Sequence, residues 1–130
     1  MTDIANRDDI KLLVDSFYAK IRKDELLSPV FASRIADDAW GKHLTRMYSF
    51  WNTVLFIEQS YKGNPFARHA TLPVDDAHFK QWIHLFHATV DEHFAGEKAE
   101  ETKRRAKNMA IMFTAKLQHL RSNPSFQNLV

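Results

Sequence analysis

The chain has 130 residues, 45% of them hydrophobic with ten Phe and three Trp, which is ample to bury a substantial core in one domain. Only three Gly and four Pro favour long helices over the tight turns of a small β protein, and zero Cys excludes a disulfide framework, a thiolate zinc site, a Cys-ligated iron–sulfur cluster and a cysteine nucleophile. A formal charge of +2 falls well short of that of a dedicated nucleic-acid binder, so no nucleic-acid partner is expected.

In chain order, residues 1–9 are polar and acidic rather than a basic start followed by an apolar run, so no secretory signal is visible. No stretch approaches the roughly 18 apolar residues of a membrane span, and the expectation is a cytoplasmic protein with no membrane partner. Ile10, Leu13, Val14, Phe17, Tyr18 and Ile21 recur at steps of three and four, predicting an amphipathic helix over 8–22. Ser28 as cap and Pro29 at the first helical position predict a short helix over 29–35. Asp37 or Asp38 is the expected cap of a longer one reaching about Gln59, with Trp40, His43, Met47, Phe50, Trp51, Val54 and Leu55 on its stripe.

The run Tyr61-Lys62-Gly63-Asn64-Pro65 reads as a turn, with Asn64 capping a segment that Pro73 must end within one or two turns, because Leu72 precedes a proline. His69 lies on that bracketed segment. Asp75 or Asp76 should cap a helix carrying Phe79, Trp82, Ile83, Phe86, Val90 and Phe94 until Ala95-Gly96. A last helix is predicted from about Glu97 to Leu120, with Ala106, Met109, Ala110, Phe113, Leu117 and Leu120 facing inward. The whole of 1–130 reads as a single domain, with its core at about 8–120 and a loose tail over 121–130.

Two histidines stand out: His43 heads the aromatic stripe, and His69, 26 positions later, sits between prolines. Each is open to two readings, a hydrogen-bonded core or rim residue or a ligand to a buried metal or cofactor. His84 and His87 have ligand spacing on one helix face, but share that side with Lys80 and Asp91, which predicts solvation. His78 and His93 fall near the edge of the same stripe, and His119 near a helix end. Tyr18 stands between Val14 and Ile21, where a phenol hydroxyl costs free energy unless a polar partner awaits it. Trp82 places an indole donor amid Phe79, Ile83 and Phe86. Lys103-Arg104-Arg105-Ala106-Lys107 is balanced by Glu97, Glu100 and Glu101 and reads as a solvated helix face. No serine elbow, phosphate-cradling glycine loop or dinucleotide fingerprint is present.

With these stretches in hand, the chain resembles the truncated haemoglobins of the third group. The likeness runs over about 8–120. It is carried by Phe17-Tyr18-Ala19-Lys20-Ile21-Arg22-Lys23-Asp24, Pro29-Val30-Phe31, His43 through Phe50-Trp51, His69-Ala70-Thr71-Leu72-Pro73 and Trp82-Ile83-His84-Leu85-Phe86. The resemblance implies an all-α, shortened globin fold, a 2-over-2 helical sandwich around haem b. It implies His69 as the proximal iron ligand, Phe31 packed on the haem face, and Tyr18, His43 and Trp82 as the distal pocket walled by Met47. Met47 is a bulkier, softer wall than a branched aliphatic. Arg46 and Arg68 are candidate haem-propionate partners.

A diatomic ligand that gains partial negative charge in such a pocket would be held by donors from Tyr18 and Trp82, which slows release and argues against simple oxygen delivery. The expected partners are O2, NO, CO, cyanide or peroxide as small ligands, with a reductase that the sequence does not name, and the protein is expected to be a monomer. Nitric oxide dioxygenase or peroxidase-like activity, or ligand sensing, would each need only this pocket. Two rivals stand beside it: a non-haem metalloprotein using His43, His69 and a carboxylate, and a cofactor-free helical interaction module.

Overall fold

A computed structural model of the protein describes residues 1–56 and 74–122. Helix α1, Arg7–Ile21, begins where the Asn6 side chain accepts from the Asp9 amide at 3.0 Å while Asp9 Oδ2 accepts from Ala5 N–H at 2.8 Å, so two otherwise orphaned donors are satisfied. Ile10, Leu13, Val14, Phe17, Tyr18 and Ile21 are all buried on one face, as the periodicity predicts. Complete burial of a side chain such as Phe17 contributes about 1.5–3 kcal/mol.

The short second helix departs from its predicted form. It spans Ser28–Ala32, so Pro29 occupies the second position, and Leu27 caps it without a side-chain bond. Asp24 does the organising instead: its Oδ2 accepts from the amides of Leu26 and Leu27 at 3.1 and 2.9 Å, and its Oδ1 accepts from Gln81 Nε2 at 2.7 Å. Asp37 and Asp38 likewise do not cap the next α-helix but form a 3₁₀ turn, Asp37–Ala39, that runs directly into α3, Trp40–Phe56. The predicted end near Gln59 lies outside the described residues.

Helix α4, Asp76–His93, opens with a full capping box: the Asp75 carboxylate accepts from the amides of Ala77 and His78, and the His78 ring Nδ1 accepts from the Asp75 N–H. The chain then turns through Gly96, whose φ of 143° lies where residues with a Cβ are strained, into α5, Glu97–Arg121. On α5 the predicted inward residues Ala106, Ala110, Phe113 and Leu117 are buried, joined by Ala99 and Thr102.

The N-terminal segment, featureless in the sequence, clasps the start of α5. Thr2 accepts from Ala95 N–H at 3.0 Å, while the two oxygens of Asp3 accept from the amides of Lys98 and Ala99, each at 2.8 Å. A carboxylate placed there meets unpaired amides and the positive end of the helix. Burial pushes the Asp3 carboxyl up, but the amides of Lys98, Ile4 and Ala99 and the Lys98 charge outweigh it and hold the group below its ordinary value.

Among the described residues every regular element is helical. α1 packs on α3 and α5 packs on α4, and contact of α1 with α4 joins the two pairs. Phe17 locks that crossing, meeting Trp82 and Phe86 edge to face with ring centroids 5.4 and 5.1 Å away. No described helix is long and apolar enough to cross a membrane.

Candidate functional site

Adjacent residues on a helix point about 100° apart, and α1 uses that angle to feed two aromatic groups. Phe17 turns to α4. Tyr18 turns to the start of α3, where its ring lies 4.9 Å from that of His43 and 5.9 Å from those of Trp40 and Phe31, all in edge-on geometry. Phe31 stacks on Trp40 at 6.4 Å, and Trp40 meets His43 at 5.5 Å with planes near perpendicular. The four rings form an aromatic wall with one phenol and one imidazole in it.

Tyr18 is 7% exposed, and no hydrogen bond from its hydroxyl reaches an acceptor among the described residues. Burial alone pushes the phenol well above its ordinary range, so the group is a protonated donor at any physiological pH. The Nε2 atom of His43 is also shielded from solvent.

Trp82 stands across Phe17 from Tyr18, edge-on to Phe17 and stacked on Phe86 at 5.4 Å and 12°. Met47 lies one turn beyond His43 and packs against the same core. Phe31, Leu44, Met47, Phe50, Val54, Trp82 and Ile83 all pack on that core yet stay partly exposed. Apolar surface left incompletely covered beside a buried phenol fits a large, flat, apolar cofactor carrying a small polar ligand. Arg46 is exposed at the outer side of α3, free of the aromatic wall. His69 and Arg68 lie outside the described residues.

Two neighbours of the site were not singled out in the sequence. Trp40, 7% exposed, meets all three other rings of the wall, and the Arg22 guanidinium sits 4.6 Å above its ring, a cation–π geometry. Trp40 precedes His43 by three residues, so its helical spacing already put both on one face. Arg22 carried no such signal, since an exposed cation after a helix is commonplace.

The remaining histidines behave differently from one another. His84 is exposed, but His87, predicted to be solvated, is half-buried with Nε2 3.1 Å from the carbonyl oxygen of Lys103 on α5. The α4·α5 packing covers the side that the pattern left open. Two of the four cations of the basic run on α5 are paired: Lys103 bonds Asp91 and Glu100 at 2.7 and 3.0 Å, and Arg105 bonds Glu101 at 2.8 Å. Among the described residues no three His, Asp or Glu side chains converge as a metal site.

The comparisons with known proteins bear on this arrangement. The profile of the bacterial-like globin family matches residues 2–117. The group 3 truncated hemoglobin of Campylobacter jejuni is 32% identical over 111 residues, 83% of this chain and 87% of that protein. The crystal structure of group III truncated hemoglobin from Campylobacter jejuni aligns with a TM-score of 0.84 at 30% identity, covering 90% of this chain and 95% of the other. The chain therefore belongs to the bacterial-like globins, a family of haem proteins that bind small ligands, and within it to the truncated haemoglobins of the third group.

Proposed function

We propose that the protein holds haem b and binds O2 and other diatomic ligands on the face lined by Tyr18, His43 and Trp82. The observation that carries this is the buried Tyr18 phenol, kept as a donor in an aromatic wall, with no acceptor among the described residues. A ligand that brings negative charge would give this hydroxyl the partner it lacks among the described residues. When bound, haem supplies a ferrous iron that takes up a small ligand on its open side.

The protein residues divide the remaining work. His69 offers a neutral ring nitrogen to the metal, and its other N–H needs an acceptor that fixes the imidazole. Phe31 packs against the macrocycle, Met47 walls the pocket, and Arg46 and Arg68 reach the propionates. Tyr18 and Trp82 donate to the ligand, with His43 beside them at the same face. Donors of this kind favour holding a ligand over releasing it, so chemistry of the ligand with nitric oxide or peroxide, or ligand sensing, suits the site better than oxygen delivery. In this account the protein works as a cytoplasmic monomer and takes electrons from a separate reductase.

The test is the absorption spectrum of purified protein reconstituted with hemin. A porphyrin Soret band is expected. Its absence would contradict the proposal and favour a non-haem metal held by His43, His69 and a carboxylate, or a cofactor-free helical module.

A further inference from the structure

Tyr48, unlike Tyr18, has an acceptor. Half-buried on α3, it donates a hydrogen bond across to Asp15 Oδ1 on α1. Lys11 completes the group, with Nζ 3.4 Å from Asp15 Oδ2 and 5.9 Å from the centre of the Tyr48 ring. The Asp15 side chain is 40% exposed, so a proton it receives can pass to water.

A phenol gives up an electron readily only if its proton leaves at the same time, because the radical cation is a very strong acid. A carboxylate already bonded to the hydroxyl takes that proton without diffusion. Tyr18 has no such acceptor among the described residues. An aromatic route also leads toward Tyr48. Trp82 stacks on Phe86 at 5.4 Å and 12°, Phe86 stacks on Trp51 at 5.0 Å and 23°, and Trp51 lies three residues beyond Tyr48 on α3, hence next to it on the helix surface.

We infer that Tyr48 is a one-electron oxidation site, giving its electron to an oxidised centre reached through Trp51 and Trp82 while its phenolic proton passes to Asp15. The O–H bond breaks, a new O–H bond forms on the Asp15 carboxylate, and Tyr48 is left as a neutral phenoxyl radical. The oxidant, by class, would be a haem held at the proposed site, which with a peroxide would supply one-electron oxidising chemistry and take up the electron, while Asp15 releases its proton to water. A small phenolic or enediol reductant at the surface then restores Tyr48 by giving it one hydrogen atom. The site would thus let the protein oxidise reductants too large to reach the distal pocket. It rests on the haem proposal for its natural oxidant only.

Two oxidants separate the claims. The first is photo-oxidised tris(bipyridine)ruthenium with persulfate, which needs no haem. The second is hydrogen peroxide added to the ferric protein. Electron paramagnetic resonance reads the tyrosyl signal, and spin trapping with mass spectrometry locates it among the three tyrosines. Both oxidants should give a signal at Tyr48 that Tyr48→Phe removes, and Asp15→Asn should slow its formation on the order of 10²-fold. Circular dichroism checks that both variants keep the wild-type helix content. A signal unchanged in Tyr48→Phe, or formed as fast in Asp15→Asn, overturns the assignment. A radical with the photo-oxidant but none with peroxide, in protein that shows a Soret band, overturns the route through Trp82. Protein without a Soret band fails the haem proposal, and there the photo-oxidant alone decides whether Tyr48 and Asp15 are the site.

Discussion

Tyr18 and His43 meet edge to face, ring centroids 4.9 Å apart and planes at 89°, across the junction of α1 and α3. Replacing Tyr18 by Phe keeps the ring and the packing but removes the donor. A hydrogen bond to a charged acceptor contributes about 1.5–3 kcal/mol, so oxygen should dissociate roughly tenfold faster or more. Stopped-flow displacement of oxygen by CO measures this, and an unchanged off-rate would remove Tyr18 from the donor role.

Gly96 offers a test of the fold that does not involve the site. A Cβ there would lie 2.5 Å from the Asp3 carboxyl, and its φ of 143° strains any residue with a side chain. Gly96→Ala should therefore break the clasp of the N-terminal segment on α5 as well as strain the turn, costing on the order of 1–3 kcal/mol. Urea unfolding monitored by circular dichroism gives the value; a midpoint equal to wild type would mean that the clasp contributes nothing.

Alkaline titration probes the Tyr48 pair. Burial first, then the hydrogen bond and charge of Asp15, push the Tyr48 phenol up from 10.0 to about 12. The folded value is the raised one, so the stabilisation is complete below a pH of about 10 and is lost as pH rises from there through about 12. Asp15→Asn removes the charge and weakens the acceptor, so the phenol should titrate at lower pH, toward its ordinary value. Ultraviolet phenolate absorbance, with Tyr48→Phe as the reference, follows it; a curve that does not move would show that Asp15 is not what holds the proton.

The buried faces of α1 and α5 follow from spacing alone, because a helix with one apolar stripe has only one way to hide it. Tyr18, Phe31 and His43 were named from the sequence, and the folded chain brings their rings together. Trp40 was legible as a neighbour of His43 but went unused, since a tryptophan on an apolar stripe is core by default. Other features arise from tertiary contacts between residues far apart in sequence. Asp24 reaches Gln81 at a separation of 57 residues, Asp3 reaches Ala99 at 96, and the His87 ring meets the Lys103 carbonyl across two helices. Local periodicity holds no information on such partners. Residue type alone points to Ser28 and to Asp37 or Asp38 as caps, but Asp24 turns the chain before Ser28, and a 3₁₀ turn takes up both Asp37 and Asp38.

The central claim is that the chain binds haem through His69, and the absorption spectrum of His69→Ala beside that of the wild-type protein, both purified after hemin reconstitution, tests it most directly. The account predicts a Soret band in the wild type and loss of most bound haem in the variant, because the single protein-to-iron bond on that face is gone. An unchanged haem content and an unchanged Soret band in His69→Ala would contradict it.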